Sequence, residues 1–329
     1  MKFLVVGLGS MGKRRIRCLL ALNQRKVAGF DVRKDRRNEA IKKYGIKVFD
    51  DFKDAIKNFN PQAIIISTSP QYHMKYAHAS LFYNKDCFIE ASVCNIGKIK
   101  ELSQKNKKAK RVIAPSCTMM FHDGVKKINQ LIKSKKIGSP HYINYHVGLY
   151  LPDWHPWEKK GHYVWDKSSN GCKELIPFEL TWLHKIFGEI KFLNSVNLKL
   201  SKMRINFSDI SRFSVLFSKK TLGDITIEIL SRPRTTRELT IVGSEGKIVL
   251  SGEQGLIKFS NIKNKHFKKF TINTGKVVKG YENSEKPYIN EIKTFIKQIN
   301  YPRKKIFPNN LSDDIRMLKL MEKIQRTKY

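Results

Sequence analysis

Three glycines and one aspartate near the start of the 329-residue chain carry its clearest chemistry. Residues 7–12 read Gly-Leu-Gly-Ser-Met-Gly, directly after the apolar run Phe3–Val6 and before a basic, helix-like stretch. Gly7 permits a tight turn, Gly9 leaves no side chain to obstruct a pyrophosphate, and Gly12 lets the following helix approach the strand. Unpaired amides at such a helix start attract phosphate. A second apolar run, Lys26–Phe30, ends in Asp31, where a carboxylate can hold both hydroxyls of a ribose. Strand, glycine turn, helix, strand and acid form the order that a dinucleotide site requires. The alternative is an ordinary strand–helix turn with incidental glycines.

A second concentration lies at Tyr150–Glu158, which reads YLPDWHPWE. It places Asp153, Trp154, His155, Trp157 and Glu158 in a segment with neither helical nor strand periodicity. Carboxylates hold sugar hydroxyls, and aromatic rings cover the apolar face of a sugar. In the competing reading the tryptophans extend the core and the charges are solvated. Further on, Lys173 follows the turn at Asn170–Gly171. A lysine desolvated in a cleft works as an acid or base near neutral pH, whereas an exposed one is a solvated surface charge. Tyr163 is a further proton-relay candidate, and His184 reads as a core or surface residue.

These residues need a scaffold. The first 117 residues alternate strand and helix signals. Strands are predicted at Phe3–Val6, Lys26–Phe30, Ala63–Ser67, Cys87–Glu90 and Arg111–Ala114. Helical segments lie between them, such as Asp35–Tyr44, Phe52–Asn58, Tyr72–Phe82 and Lys98–Lys105. That alternation predicts a doubly wound parallel sheet, an α/β fold whose ligands bind at the carboxyl ends of the strands. Ser67 to Pro70 and Glu90 sit at such ends. After Met119 the pattern becomes strand-rich, with runs at 192–200, 213–217, 224–230, 238–242, 247–251 and 256–259, and helices at 124–133 and 178–187. A second, α+β domain with a large, mostly antiparallel open sheet is expected there. Two helices near 288–299 and 313–326 close the chain. The domains are read as 1–117 for dinucleotide binding, 118–310 for substrate binding and 311–329 as a closing helix, with a short junction that pairs the domains around a cleft.

Composition narrows the classes. Lys and Arg number 64 against 28 Asp and Glu, a net charge of +36. The basic residues are spread along the whole chain, which fits a dispersed surface property and no specific nucleic-acid partner; phosphate neutralisation on DNA or RNA is the alternative. No run approaches the roughly 18–20 apolar residues of a membrane span, and no signal-peptide pattern opens the chain. The five cysteines (Cys18, Cys87, Cys94, Cys117 and Cys172) form no CxxC pair and no metal spacing. We therefore expect a cytoplasmic protein with no membrane contact, no disulfide framework and no metal.

The order GLGSMG, Asp31, TSPQYH (Thr68–His73), FIEAS (Phe88–Ser92), RELTIVGSEGKI (Arg237–Ile248) and the terminal SDDIRMLKLMEKI resembles the Gfo/Idh/MocA family. These are NAD(P)-dependent oxidoreductases acting mostly on sugars and polyols, and the resemblance spans nearly the whole chain. It implies a Rossmann domain followed by a sheet that packs against a partner copy, giving a homo-oligomer. It implies that Gly7, Gly9 and Gly12, with the backbone of Ser10 and Met11, contact the pyrophosphate. Asp31 would bind the adenosine ribose and favour NAD, because a carboxylate repels a 2′-phosphate, although Arg33 and Lys34 leave NADP possible. Thr68, Ser69, Pro70 and His73 would line the nicotinamide ribose beside Glu90. For His73, a structural role at a helix start is the alternative.

Two departures matter. The family carries Glu-Lys-Pro after the fourth strand, and its lysine touches the nicotinamide and the reacting hydroxyl. Here the sequence is Glu90-Ala91-Ser92. The family's catalytic histidine aligns with Phe178, or with Glu179 after a one-residue slip. Hydride transfer needs a group to take the hydroxyl proton. The expected substitutes are Lys173, His155 and Glu174, the last near a frequent family aspartate. Asp153, Trp154, Trp157, Glu158, Tyr163 and Glu179 are the expected substrate contacts. The leading reading is an NAD-dependent oxidoreductase acting on a sugar or nucleotide-linked sugar, in surface-glycan precursor synthesis by family precedent. The alternatives are a family member that binds NAD and sugar without net dehydrogenation, and a nucleic-acid-binding protein on the same scaffold.

Overall fold

The computed structural model describes residues 1–91, 95–154, 163–167, 171–273, 275–281 and 283–326. The chain divides into two compact units, residues 1–121 with 274–316 and residues 122–273 with 317–329.

The first unit begins with β1 (Phe3–Val6), α1 (Ser10–Ala21), β2 (Val27–Phe30), α2 (Lys34–Tyr44), β3 (Lys47–Phe49) and α3 (Phe52–Phe59). It continues with β4 (Ala63–Ile66), α4 (Pro70–Phe82), β5 (Asp86–Ile89), α5 (Ile96–Ala109) and β6 (Ile113–Pro115). Among the described residues the six strands form one sheet in the order β3-β2-β1-β4-β5-β6. All its pairings are parallel, with Phe3 opposite both Val27 and Ala63. A parallel strand covered by helices on both faces has no polar side, so β1 (FLVV) and β4 (AIII) are apolar throughout and fully buried. The strand order reverses between β1 and β4, the switch point at which such sheets bind ligands. The short β3 has no run of apolar residues and was not visible in the sequence pattern.

The helix α8 (Lys286–Asn300), far along the chain, belongs to this unit. Its Ile292 and Phe295 are buried with Phe3, Val5, Phe88 and Ala114 in one core. The sequence reading ran the second domain continuously from 118 to 310, whereas packing puts 274–316 with the first unit. A helix reveals its apolar stripe in sequence but not the sheet that receives it.

The second unit contains α6 (Asp123–Lys133), β7 (Pro140–Gly148), α7 (Gly171–Phe187), β8 (Ile190–Leu198), β9 (Ile210–Phe217) and β10 (Thr221–Glu228). Then follow β11 (Thr236–Gly243), β12 (Gly246–Ser251), β13 (Leu256–Asn261), β14 (Asn264–Thr271) and the latter part of α9 (Leu311–Arg326). The eight described strands run β14-β13-β12-β11-β7-β10-β9-β8. Their pairings are antiparallel except for β7 with β10. One face carries Ile143, Tyr145, Val147, Ile225, Ile227, Leu239 and Ile241, all buried. Alternate residues such as Tyr142, Asn144 and His146 lie on the other face and are half-buried or exposed. The sequence reading lacked β7 and β14. β7 mixes histidine, tyrosine and asparagine with its apolar residues, and β14 (NKHFKKFT) is an edge strand with lysine on both faces.

Candidate functional site

The glycine turn is shaped by close approach. Gly7 has φ +89, and a Cβ on it would lie 2.7 Å from the Ser67 carbonyl oxygen. A Cβ on Gly12 would lie 1.8 Å from the Gly7 carbonyl oxygen, so α1 packs on the turn as only glycine allows. α1 starts without a side-chain cap and without an acidic residue in its first turn. Its leading amides and positive dipole end are therefore suited to an anion.

Asp31 ends β2 and reaches across to that turn. Its Oδ2 accepts from Leu8 N–H at 2.7 Å and its Oδ1 from Arg33 N–H at 2.9 Å. The carboxylate thus fixes the turn as well as presenting oxygens there. Thr68 follows β4, and its Oγ1 is buried with no hydrogen-bond partner among the described residues. Ser69 is the N-cap of α4 without a capping side-chain bond, and Pro70 takes the first helical position. His73, one turn further, is buried and its Nε2 lies 2.8 Å from the Thr68 carbonyl oxygen. Burial pushes its pKa down to about 4, so the ring is neutral.

Glu90 closes β5. The guanidinium of Arg15 grips it with Nε and Nη2, the latter at 2.9 Å. Arg15 also reaches Glu291 of α8, Nη2 to Oε2 at 2.9 Å. Glu291 accepts in turn from Ser116 Oγ, Cys117 N–H and Thr118 Oγ1. Burial disfavours the charge on Arg15, but Glu90 and Glu291 outweigh it and hold the guanidinium ionised. This cluster ties α1 to the end of β5, and Ala91 follows it with no titratable group. Sequence reasoning missed Arg15 and Glu291, since a helix of four basic residues in five positions gives no sign that one of them is fully buried.

Gly7, Gly9, Ser10, Met11, Gly12, Asp31, Thr68, Ser69, Pro70, His73 and Glu90 thus gather at the carboxyl ends of β1, β2, β4 and β5. They fit a dinucleotide: a cradle that a Cβ would fill, a cap-free helix start, a carboxylate just after β2 and a buried hydroxyl with no hydrogen-bond partner among the described residues.

The residues expected for proton transfer and substrate lie in the second unit. Lys173 and Glu174 stand in the first turn of α7. Lys173 Nζ donates to the Lys167 carbonyl at 3.0 Å, and burial, then the Lys167 charge, lowers its pKa. Tyr163 O–H donates to Glu174 Oε1 at 3.1 Å, so these two are brought together. Trp154 and Tyr163 pack against a small core of Leu151, Val164, Cys172, Phe207 and Ile229. Asp153 is exposed. His155, Trp157 and Glu158 lie outside the described residues. His184 is buried, with Nδ1 3.1 Å from the Gly188 carbonyl oxygen.

Glu179 has no exposed surface. Its Oε2 accepts from Tyr145 O–H at 2.7 Å, Trp182 Nε1 at 2.8 Å and Arg237 Nη1 at 2.9 Å, and its Oε1 from Arg237 Nη2 at 2.7 Å. Burial would raise its pKa, but the Arg237 guanidinium and these donors outweigh that and lower it. Expected as a substrate contact, Glu179 is placed as a fully bonded group between α7 and the sheet. Among the described residues no group of three or more His, Cys, Asp or Glu side chains is arranged for a metal ion. No described helix is long and apolar enough to cross a membrane.

The parallel sheet, the glycine cradle and the acid bonded across to it are the features of a dinucleotide-binding α/β unit. Residues 1–116 match the family model described as an oxidoreductase family with an NAD-binding Rossmann fold. That part, 116 of the 329 residues, is similar to the Gfo/Idh/MocA oxidoreductases. Over 144 residues the chain is 28% identical to inositol 2-dehydrogenase of Salmonella typhimurium. The match covers 41% of this chain and 42% of that protein, less than half the length of either. Whole-chain likeness appears among solved structures. Levoglucosan dehydrogenase in complex with NADH superposes with a TM-score of 0.83 at 14% identity, covering 98% of this chain and 95% of that one. UDP-N-acetylglucosamine 3-dehydrogenase from Acidithiobacillus ferrooxidans gives 0.79 at 13% identity, covering 99% and 96%. An Agrobacterium radiobacter oxidoreductase bound to NAD+, L-tartaric acid and magnesium gives 0.82 at 12%, covering 98% and 94%. At these identities the likeness is one of fold.

Proposed function

We propose that the protein is an NAD-dependent oxidoreductase acting on a sugar or nucleotide-linked sugar. The observation that carries this reading is the cradle of Gly7, Gly9 and Gly12 with Asp31 bonded across to it, in a segment of an NAD-binding oxidoreductase family. The sugar class is supported by the names of the relatives and by the aromatic and acidic segment around Asp153 and Trp154. A role in making surface-glycan precursors is part of this proposal, and the nucleotide-sugar dehydrogenase among the similar structures is in keeping with it. When bound, NAD accepts or donates a hydride. The chain's own part is to hold the pyrophosphate on α1, the adenosine ribose on Asp31 and the nicotinamide end near Thr68, Ser69, Pro70, His73 and Glu90.

Proton transfer falls to Lys173, Glu174 or His155, since Ala91 has no proton to give. The lowered pKa of Lys173 and the Tyr163–Glu174 bond favour the first two. We further infer a homo-oligomer formed through the open face of the eight-stranded sheet, where Leu216, Leu222 and Val242 are exposed. A reducing, cytoplasmic setting is part of the same reading; it rests on the scattered cysteines of the sequence. The spread of basic residues supports no specific nucleic-acid partner.

The test is NAD titration followed by a screen of sugars and nucleotide sugars for NADH formation. Lys173→Ala, Glu174→Ala or His155→Ala should lower turnover about 10²–10⁴-fold with NAD binding retained. Wild-type rates in all three variants would move proton transfer elsewhere. Ala91 favours a second reading, a redox-neutral enzyme or sensor. If no sugar reduces bound NAD and Ala91→Lys creates that activity, the second reading holds.

A further inference from the structure

We propose that Arg232, braced on Tyr150, binds the diphosphate of a nucleotide-linked sugar and so selects that class of substrate over a free sugar. The proposal rests on the oxidoreductase reading above and chooses between its two substrate classes. All the residues concerned belong to the second unit. β7 and β10 run parallel, so the chain leaves both at the same end of the sheet. There Leu149 N–H bonds the Glu228 carbonyl, and Tyr150 and Leu230 form an isolated bridge. Leu151 N–H bonds the Ile229 carbonyl at 3.2 Å. The segment that carries Asp153 and Trp154 is thus tied to the one that carries Arg232. α7 begins at the same place: a Cβ on Gly171 would lie 2.8 Å from Ile229 Cγ2 and 3.4 Å from Trp154 Cζ3. Lys173 and Glu174 follow within that first turn.

Arginines stand at 232, 234 and 237 where the chain passes from β10 to β11. Arg234 pairs with Glu253 at 3.2 Å, and Arg237 with Glu179 at 2.7 Å. Arg232 pairs with no acid among the described residues. Its guanidinium lies over the Tyr150 ring, 4.7 Å from the centroid, and its Nη1 donates to the Tyr150 hydroxyl at 3.3 Å. The backbone before it is fixed as well, since the N–H groups of Leu230 and Ser231 both donate to Glu228 Oε2. An exposed cation is therefore held in one orientation without being neutralised. A side chain ordered before its ligand arrives loses less freedom on binding, and the guanidinium fork matches the oxygens of a phosphate. A free sugar offers that charge no anion. Because Arg232 is exposed, the anion it meets lies at the surface and the group beyond can extend into solvent, which suits a nucleoside. Asp153 and Trp154 are left for the sugar.

Equilibrium titration of the purified full chain with UDP, dTDP, GDP and CDP, their monophosphates, glucose 1-phosphate and N-acetylglucosamine tests this, with NAD+ present throughout. Wild type should bind at least one diphosphate about tenfold or more tightly than its monophosphate. Arg232→Ala should weaken that diphosphate about 30-fold, as loss of a charge-assisted hydrogen bond does, and leave the melting temperature within about 2 °C. Arg232→Lys should restore part of the loss, because the charge returns without the fork. Tyr150→Ala removes the brace and should cost about tenfold, with little added to the loss already caused by Arg232→Ala. Equal affinity of wild type and Arg232→Ala for the diphosphates would overturn the proposal, as would failure of every diphosphate to bind wild type. Glucose 1-phosphate that binds as tightly as any diphosphate, and loses as much in Arg232→Ala, would assign Arg232 to a sugar phosphate and overturn the nucleotide class. Failure of wild type to bind NAD+ in a separate titration would overturn the oxidoreductase reading and leave the Arg232 comparison standing on its own.

Discussion

Replacing Glu179 separates a structural acid from a substrate-binding one. The side chain is fully buried and receives four hydrogen bonds, two of them from the Arg237 guanidinium. Glu179→Ala removes the anion and strands three partners: Arg237, the Tyr145 hydroxyl and the Trp182 indole N–H. Breaking a buried pair by deleting one member costs about 3–5 kcal/mol, mostly from the charge left behind. Arg237 keeps about a quarter of its side-chain exposure, so water recovers part of that charge and the lower end, about 3 kcal/mol, is expected. For a folding unit of this size that corresponds to a melting point lower by about 6–12 °C. Glu179→Gln keeps the shape but turns an N–H₂ toward Arg237 or Tyr145, and should cost about half as much. Adding Arg237→Met to Glu179→Ala removes the stranded cation, so the double variant should be more stable than Glu179→Ala alone. Thermal unfolding followed by circular dichroism gives all three values. A Glu179→Gln protein that melts within about 1 °C of wild type but loses sugar affinity would refute this reasoning and return Glu179 to the substrate site.

Two further expectations follow from the same physical accounting. His73 and His122 are both held near a pKa of about 4, chiefly by burial, against the usual value of 6.5. Between those values the unfolded chain binds protons that the folded chain does not, so stability is full above pH 6.5 and falls as the pH drops toward 4. At 1.36 kcal/mol per unit the loss is about 3 kcal/mol for each histidine, and urea titrations across that range should show a shallower acid limb in His73→Gln. Gly12→Ala places a methyl group 1.8 Å from the Gly7 carbonyl oxygen, so α1 must shift. It should cost at least about 1–3 kcal/mol and abolish NAD binding at concentrations that saturate wild type; a variant with unchanged NAD affinity would show that the cradle tolerates a wider turn.

Local patterns made the first unit legible. A strand covered on both faces must be apolar along its length, so β1, β2, β4 and β5 were recognisable as uninterrupted runs, and the glycine turn announced itself by types that only one geometry needs. The second sheet was harder to read. β7, in the middle of the sheet, hides its buried Ile143, Tyr145 and Val147 among histidine and asparagine, and β14 has no apolar face to reveal it. The start of α7 was placed late because Lys173 and Glu174 precede its apolar stripe.

The sequence by itself determined the dinucleotide cradle, the acid at the end of β2 and the absence of a lysine after Glu90, because each is a matter of residue type at short spacing. Only the tertiary structure decided which charges are buried and with whom. Arg15 meets Glu291 across 276 positions, Glu179 meets Arg237 across 58, and Arg36 comes to lie over Gly9. It also decided that α8 completes the core of the first unit. The physical reason is that desolvation and ion pairing depend on distances in space. A helix pattern records which face is apolar, but the partner that neutralises a buried charge is chosen by the packing of elements that the chain brings together only when folded.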